Sequence, residues 1–199
     1  MNLPNRLTLL RVILTPVFMA TLLWEFPFHY AVSLLIFIAA SITDLLDGKI
    51  ARKRGLVTDF GKFLDPLADK MLTTAAFLGF IFLKIGAGAV WIAFIVLFRE
   101  FTVSSIRLIA VSSDGKVIAA NIWGKLKTVF QMIAIIFALT AKQFTELLIR
   151  FDAAKNTVAA IDLWLSVATS ALLWISALLC IVSGVIYLLD NISFIKNSK

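Results

Sequence analysis

The sequence predicts an all-α, polytopic membrane protein built as a bundle of six transmembrane helices. Three observations lead there. The chain has 199 residues, of which 61% are hydrophobic, against roughly 45–50% in an ordinary soluble domain. Its apolar residues fall into six stretches, each near the ~20 residues that cross a bilayer core. Its cations are distributed unevenly among the connections between those stretches, as the positive-inside rule requires of a multi-pass protein.

The six stretches lie at 7–25, 30–50, 66–84, 88–110, 123–141 and 163–189. The first follows Arg6 and Arg11 but leads to neither a small-residue cleavage site nor a polar mature region, so it reads as an uncleaved span. Pro16 lies inside it and predicts a kink. Pro66 at the head of the third stretch suits the first turn of a helix, with Asp65 as its N-cap. Between the fifth and sixth stretches, Phe144, Leu147, Leu148 and Phe151 recur at helical spacing, which predicts a segment over 142–162 resting on the lipid surface. No repeat or low-complexity linker divides the chain, so residues 1–199 read as a single domain.

Orientation follows from counting cations. If both termini share a face, only Lys84, Lys142, Arg150 and Lys155 fall on the opposite one, and the remaining Lys and Arg gather on the first. Both termini are therefore expected in the cytoplasm. The net charge of +7 is accounted for by this topogenic bias. Nucleic acid is not an expected partner, because no basic surface interleaved with aromatics stands apart from the spans. The single Cys180 and single His29 lie within or between apolar runs. They offer neither a disulfide framework nor a zinc site.

Against this background the stretch DLLDGKIARKRGLVTDFGKFLDPLADK, residues 44–70, stands out. Asp44 and Asp47 are three apart at the end of the second span, and Asp65 and Asp69 are four apart at the start of the third. On helices each pair shares a face. The connection is short enough to make the two helices antiparallel neighbours, so four carboxylates converge at one mouth of the bundle. Ion pairing with the adjacent Lys and Arg accounts for any one of these aspartates on a solvated loop. It accounts poorly for all four at span ends, where ionisable groups are costly to keep without a function. Carboxylate ligation without His or Cys favours a hard ion, Mg²⁺, Mn²⁺ or Ca²⁺. With Gly48 and Gly61 leaving room for close approach and Arg52 nearby, the set points to a diphosphate.

The pattern D44-x-x-D47-G48-x-x-A51-R52-x8-G61-x3-D65-x3-D69 resembles the complete signature of the CDP-alcohol phosphotransferase family. The resemblance implies a six-helix membrane enzyme, usually a homodimer, that moves a phosphatidyl or similar group from a CDP-linked donor to an alcohol and releases CMP. By position, Asp44, Asp47 and Asp65 would hold metal, two Mg²⁺ or Mn²⁺ ions in the family pattern, with Asp69 near the metals and acting as the base. Gly48, Ala51, Arg52 and Gly61 would contact or make room for the CDP moiety. The chemistry is consistent with these roles. Attack at the β-phosphorus needs the diphosphate neutralised, the leaving CMP stabilised and the acceptor hydroxyl deprotonated. A lipid donor such as CDP-diacylglycerol also explains the location, since its chains stay in the bilayer while its head reaches a polar mouth.

The acceptor has to be read from other polar residues. Arg99 and Glu100 lie deep in the fourth span, with Arg107 two turns further along, and Lys125, Lys127, Thr128 and Gln131 open the fifth. A buried arginine needs a partner. Glu100, adjacent in sequence, does not share its helix face, so an anionic ligand or a carboxylate from another helix is expected. Arg107, Lys125, Arg99 and Lys127 together suit an acceptor that carries its own phosphate, although each lysine could equally anchor a span end. NLPNRLTLLRV and WGKLKTVFQ resemble the bacterial branch of the family whose acceptor is glycerol 3-phosphate. The expected reaction is transfer of the phosphatidyl group from CDP-diacylglycerol to glycerol 3-phosphate at the cytoplasmic side of a bacterial cell membrane. Inositol phosphate, serine or another alcohol is the competing acceptor class. A small cation transporter, the alternative of a different kind, would place its acids near the bilayer midplane within paired half-repeats; here all four lie at one end.

Overall fold

The computed structural model describes residues 3–54, 59–114 and 122–191. They form six helices, α1 (Leu3–Leu23), α2 (His29–Arg54), α3 (Asp59–Phe82), α4 (Ala89–Asp114), α5 (Ile122–Arg150) and α6 (Lys155–Asp190). No strand occurs among the described residues. Stretches of α1, α4, α5 and α6 are long and apolar enough to cross a membrane. Among the described residues, α2 and α3 offer shorter apolar stretches, His29–Asp44 and Lys70–Phe82.

The helices pack as a bundle in which α5 runs along α6, α1 against α2 and α3, α4 against α6, and α2 against α5. Outward faces remain apolar: Phe94, Phe98, Phe101 and Trp164 are all more than half exposed, as a lipid-facing surface requires. Hydrophobicity therefore does not distinguish inside from outside, and size does much of that work. Ala134, Ala138, Ala177 and Ser176 are fully buried along α5 and α6, letting the two backbones approach. Gly79 serves α1 and α3 in the same way, since a Cβ there would lie 2.4 Å from Leu22 Cδ2.

Two expected boundaries are displaced. α3 begins at Asp59, so Asp65 and Pro66 are interior helical positions and Asp65 is not the N-cap. Phe60, Phe63, Leu64 and Leu67 extend the helical period of the third span toward its N-terminus, and the helix starts before the continuously apolar stretch does. The 142–162 segment is likewise not a separate surface element. α5 continues through it to Arg150, and α6 starts at Lys155 after a turn in which Asp152 has φ of 52°. Phe144, Leu147 and Leu148 prolong the period of α5, while polar neighbours close the α5–α6 hairpin and tie it to α2. Lys142 Nζ lies 3.2 Å from Asp162 Oδ1, Thr145 Oγ1 donates to the same oxygen at 3.1 Å, and Gln143 Oε1 accepts from the Ala31 amide at 2.7 Å. α1 continues helical through Pro16, with the Thr15 hydroxyl donating to the Arg11 carbonyl at 2.9 Å.

Candidate active site

Polar side chains from all six helices meet at the end of the bundle that carries the signature. Arg11 of α1 is 2% exposed, and its Nη1 lies 2.6 Å from Asp44 Oδ1 of α2. The Asp44 side chain is 42% exposed, so Arg11 holds it from the buried side. The pair lines a small cavity of about 70 Å³ together with Ser41, Lys70, Thr73 and Gln131. Lys70, Glu100, Lys127 and Thr128 also line a second cavity, of about 410 Å³. The two are thus neighbouring compartments with a common wall.

The larger cavity brings together all four cations expected to bind an acceptor phosphate: Arg99 and Arg107 from α4, and Lys125 and Lys127 from α5. Arg99 and Arg107 share a face because eight residues span little more than two helical turns. Among the described residues, Lys70 makes a fifth cation, against the carboxylate of Glu100. Such an excess in a partly enclosed space attracts a compact anion, and a guanidinium fork matches phosphate oxygens. The cations are not equally available. Lys127 is buried and its ammonium pairs with Glu100 Oε1, whereas Arg107 and Lys125 are exposed.

Arg99 departs from expectation. Its Nη1 lies 3.6 Å from Oε1 of Glu100, because two long side chains can bend together even when their Cβ atoms diverge. The shorter contact comes from α6, where Ser183 Oγ accepts from Arg99 Nη2 at 2.7 Å. Gly184, beside Ser183, gives the arginine stem room to lie on α6: a Cβ there would sit 3.1 Å from Arg99 Cγ. Ser183 and Tyr187 of α6 also line the larger cavity. Sequence reasoning missed both. The available signal was the spacing of Ser176, Ser183 and Tyr187, seven and four apart on an otherwise apolar helix, which places them along one stripe.

Of the signature, Asp44 is the part whose side chain is described. Asp47, Gly48, Ala51 and Arg52 lie on α2, and Gly61, Asp65 and Asp69 on α3; their side chains lie outside the described residues. Backbone register still places them usefully. Position 69 is one turn before Thr73, and positions 47 and 48 are one turn after Asp44; Thr73 and Asp44 both line the smaller cavity. Among the described residues no three His, Cys, Asp or Glu side chains cluster. The donor types nonetheless suit a hard cation. Asp44 brings a carboxylate to the cavity wall, and Cys180 is buried on α6.

A family model described as CDP-alcohol phosphatidyltransferase matches residues 1–189. A CDP-diacylglycerol–glycerol-3-phosphate 3-phosphatidyltransferase of Bacillus subtilis (strain 168) is 37% identical, over 100% of this chain and 99% of that protein. A protein of the same name from Rickettsia bellii (strain RML369-C) is 35% identical, over 94% of this chain and 93% of its own length. A cardiolipin synthase (CMP-forming) of Oryza sativa subsp. japonica is 36% identical over 94% of this chain, a match that covers 56% of the rice protein. With its signature intact and the family match extending from α1 to the end of α6, the chain belongs to the CDP-alcohol phosphatidyltransferase family.

Proposed function

We propose that the protein transfers the phosphatidyl group of CDP-diacylglycerol to glycerol 3-phosphate, forming phosphatidylglycerophosphate and CMP. The observation that carries this reading is the cavity that unites Arg99, Arg107, Lys125 and Lys127 beside the Asp44 compartment. A phosphate-bearing acceptor uses such a surplus of positive charge, and serine does not require it. End-to-end matches to two proteins named for this reaction support the same choice. The rice relative, whose name denotes a different product at nearly equal identity, makes a phospholipid acceptor the competing case.

The roles follow from chemistry. Asp44, Asp47 and Asp65 supply carboxylate oxygens for Mg²⁺ or Mn²⁺, with Asp69 beside them. When bound, the metal neutralises the donor diphosphate and the CMP that leaves. Gly48, Ala51 and Gly61 make room for the CDP moiety, and Arg52 contributes positive charge to it. Arg11 holds Asp44 in place and offsets part of the carboxylate repulsion in the absence of a donor. Asp69 takes the proton from the acceptor hydroxyl, while Arg107 and Lys125, the open cations, grip the acceptor phosphate and Arg99 backs them. The whole chain acts as one membrane domain, as a homodimer in the cytoplasmic membrane, with termini and active site on the cytoplasmic side where both glycerol 3-phosphate and CMP are soluble.

The test is an acceptor panel with purified protein, labelled CDP-diacylglycerol and Mg²⁺, following CMP release. Glycerol 3-phosphate is expected to be used in strong preference to serine, inositol phosphate and phosphatidylglycerol. Preference for any of these others would refute the assignment. Arg107→Ala is expected to raise the KM for glycerol 3-phosphate more than tenfold, as loss of one hydrogen bond to a charged group worth ~1.5–3 kcal/mol implies. The KM for CDP-diacylglycerol is expected to stay nearly constant. Equal losses for both substrates would make Arg107 structural instead, and no loss would remove it from the acceptor site.

A further inference from the structure

We infer that Tyr187 is a direct ligand of the acceptor, its hydroxyl donating a hydrogen bond to an anionic oxygen bound in the larger cavity; this rests on reading that cavity as the acceptor site. Tyr187 is 4% exposed and lines the cavity, yet its Oη, screened from solvent, has no hydrogen-bond partner among the described residues. Buried hydroxyls are ordinarily satisfied, because leaving one unpaired costs the full desolvation of the group. A phenylalanine would fill nearly the same space on α6 without that cost. The hydroxyl therefore has a use that the ligand-free protein does not display.

The surroundings identify the missing partner. Arg99 Nε is also buried without a hydrogen bond among the described residues, so two donors within one cavity lack an acceptor there. The cavity's carboxylate, Glu100, is already engaged by Lys127 and lies close to Arg99 Nη1. Ser183, one turn before Tyr187, spends its oxygen on Arg99 Nη2. A group rich in lone pairs and carrying negative charge would satisfy both donors, and a phosphate monoester has several such oxygens. The backbone that carries the ring is also anchored: the Tyr187 carbonyl accepts from Asn191 Nδ2 at 2.8 Å, which steadies the last turn of α6. The hydroxyl is thus held on a rigid element.

The experiment is Tyr187→Phe in the full-length protein, assayed in mixed micelles with CDP-diacylglycerol and Mg²⁺, alongside thermal unfolding and direct titration with glycerol 3-phosphate. The KM and the Kd for glycerol 3-phosphate are expected to rise about tenfold, the loss of a hydrogen bond to a charged group. The KM for CDP-diacylglycerol is expected to stay within about twofold, and Tm to be unchanged or higher, since an unsatisfied polar atom has gone. An unchanged acceptor KM overturns the inference. So does a lower Tm accompanied by equal losses for both substrates, which is the mark of a packing role. Arg107→Ala and Arg99→Lys separate the two levels of the argument. If they raise the acceptor KM while Tyr187→Phe does not, the tyrosine assignment alone fails; if none of the three does, the cavity is not the acceptor site.

Discussion

Stripping the purified protein of divalent cations is expected to abolish CMP release, and adding back Mg²⁺ or Mn²⁺ to restore it. The reason lies in the charges that the proposed site brings together at the C-terminal end of α2 and the N-terminal end of α3. There four aspartates would approach a donor whose diphosphate is itself anionic, and Arg11, the arginine seen against Asp44, would offset one of them. Without added positive charge the carboxylates repel the group they are meant to bind. Loss of a metal acting as Lewis acid removes several kcal/mol of stabilisation, equivalent to a rate loss of roughly 10³-fold or more. Binding of CDP-diacylglycerol is expected to weaken in parallel, and Asp44→Ala to shift the Mg²⁺ titration to higher concentration. The direct measurement is CMP release in chelator-treated protein with residual metal determined by elemental analysis. Full turnover in a verified metal-free sample would remove the metal from the mechanism.

The residues that could be read from the sequence were those whose chemistry is improbable in a membrane. Arg99 and Arg107 were expensive enough to demand an explanation, and their spacing placed them on one face, where the larger cavity has them. Asp44 could be assigned to the mouth of the bundle for the same reason. Less legible were features written in ordinary apolar or small residues. The inward face of α6 differs from its lipid face by Ser176, Ser183, Gly184 and Tyr187, a contrast of size and hydroxyls with little change in hydropathy, so the contribution of α6 to the Arg99 environment went unseen. The ends of helices were misplaced where amphipathic turns continue a span beyond its apolar stretch, as at Asp59–Pro66 and again through Arg150. Hydropathy reports the thickness of lipid. Helical hydrogen bonding does not stop there.

The sharpest functional test concerns Asp69. It is the base in the proposed reaction, and α3 places position 69 one turn before Thr73, which lines the Asp44 compartment. Asp69→Asn preserves shape and one carbonyl oxygen but cannot take up a proton at neutral pH. If the carboxylate removes the acceptor's proton, kcat is expected to fall by the ~10²–10⁴ that accompanies loss of a general base, with CDP-diacylglycerol binding retained. If Asp69 serves chiefly as a metal ligand, the amide weakens metal affinity and excess Mn²⁺ recovers much of the rate. CMP release and donor binding measured together across a Mn²⁺ titration distinguish the two, because the first role alters kcat at saturating metal while the second alters the concentration at which saturation is reached. Recovery above about a third of the wild-type kcat is incompatible with an obligatory base, whose removal costs at least ~10², and would assign the proton to another group or to water. A persistent loss at saturating metal, with the donor still bound, is what a base at position 69 requires.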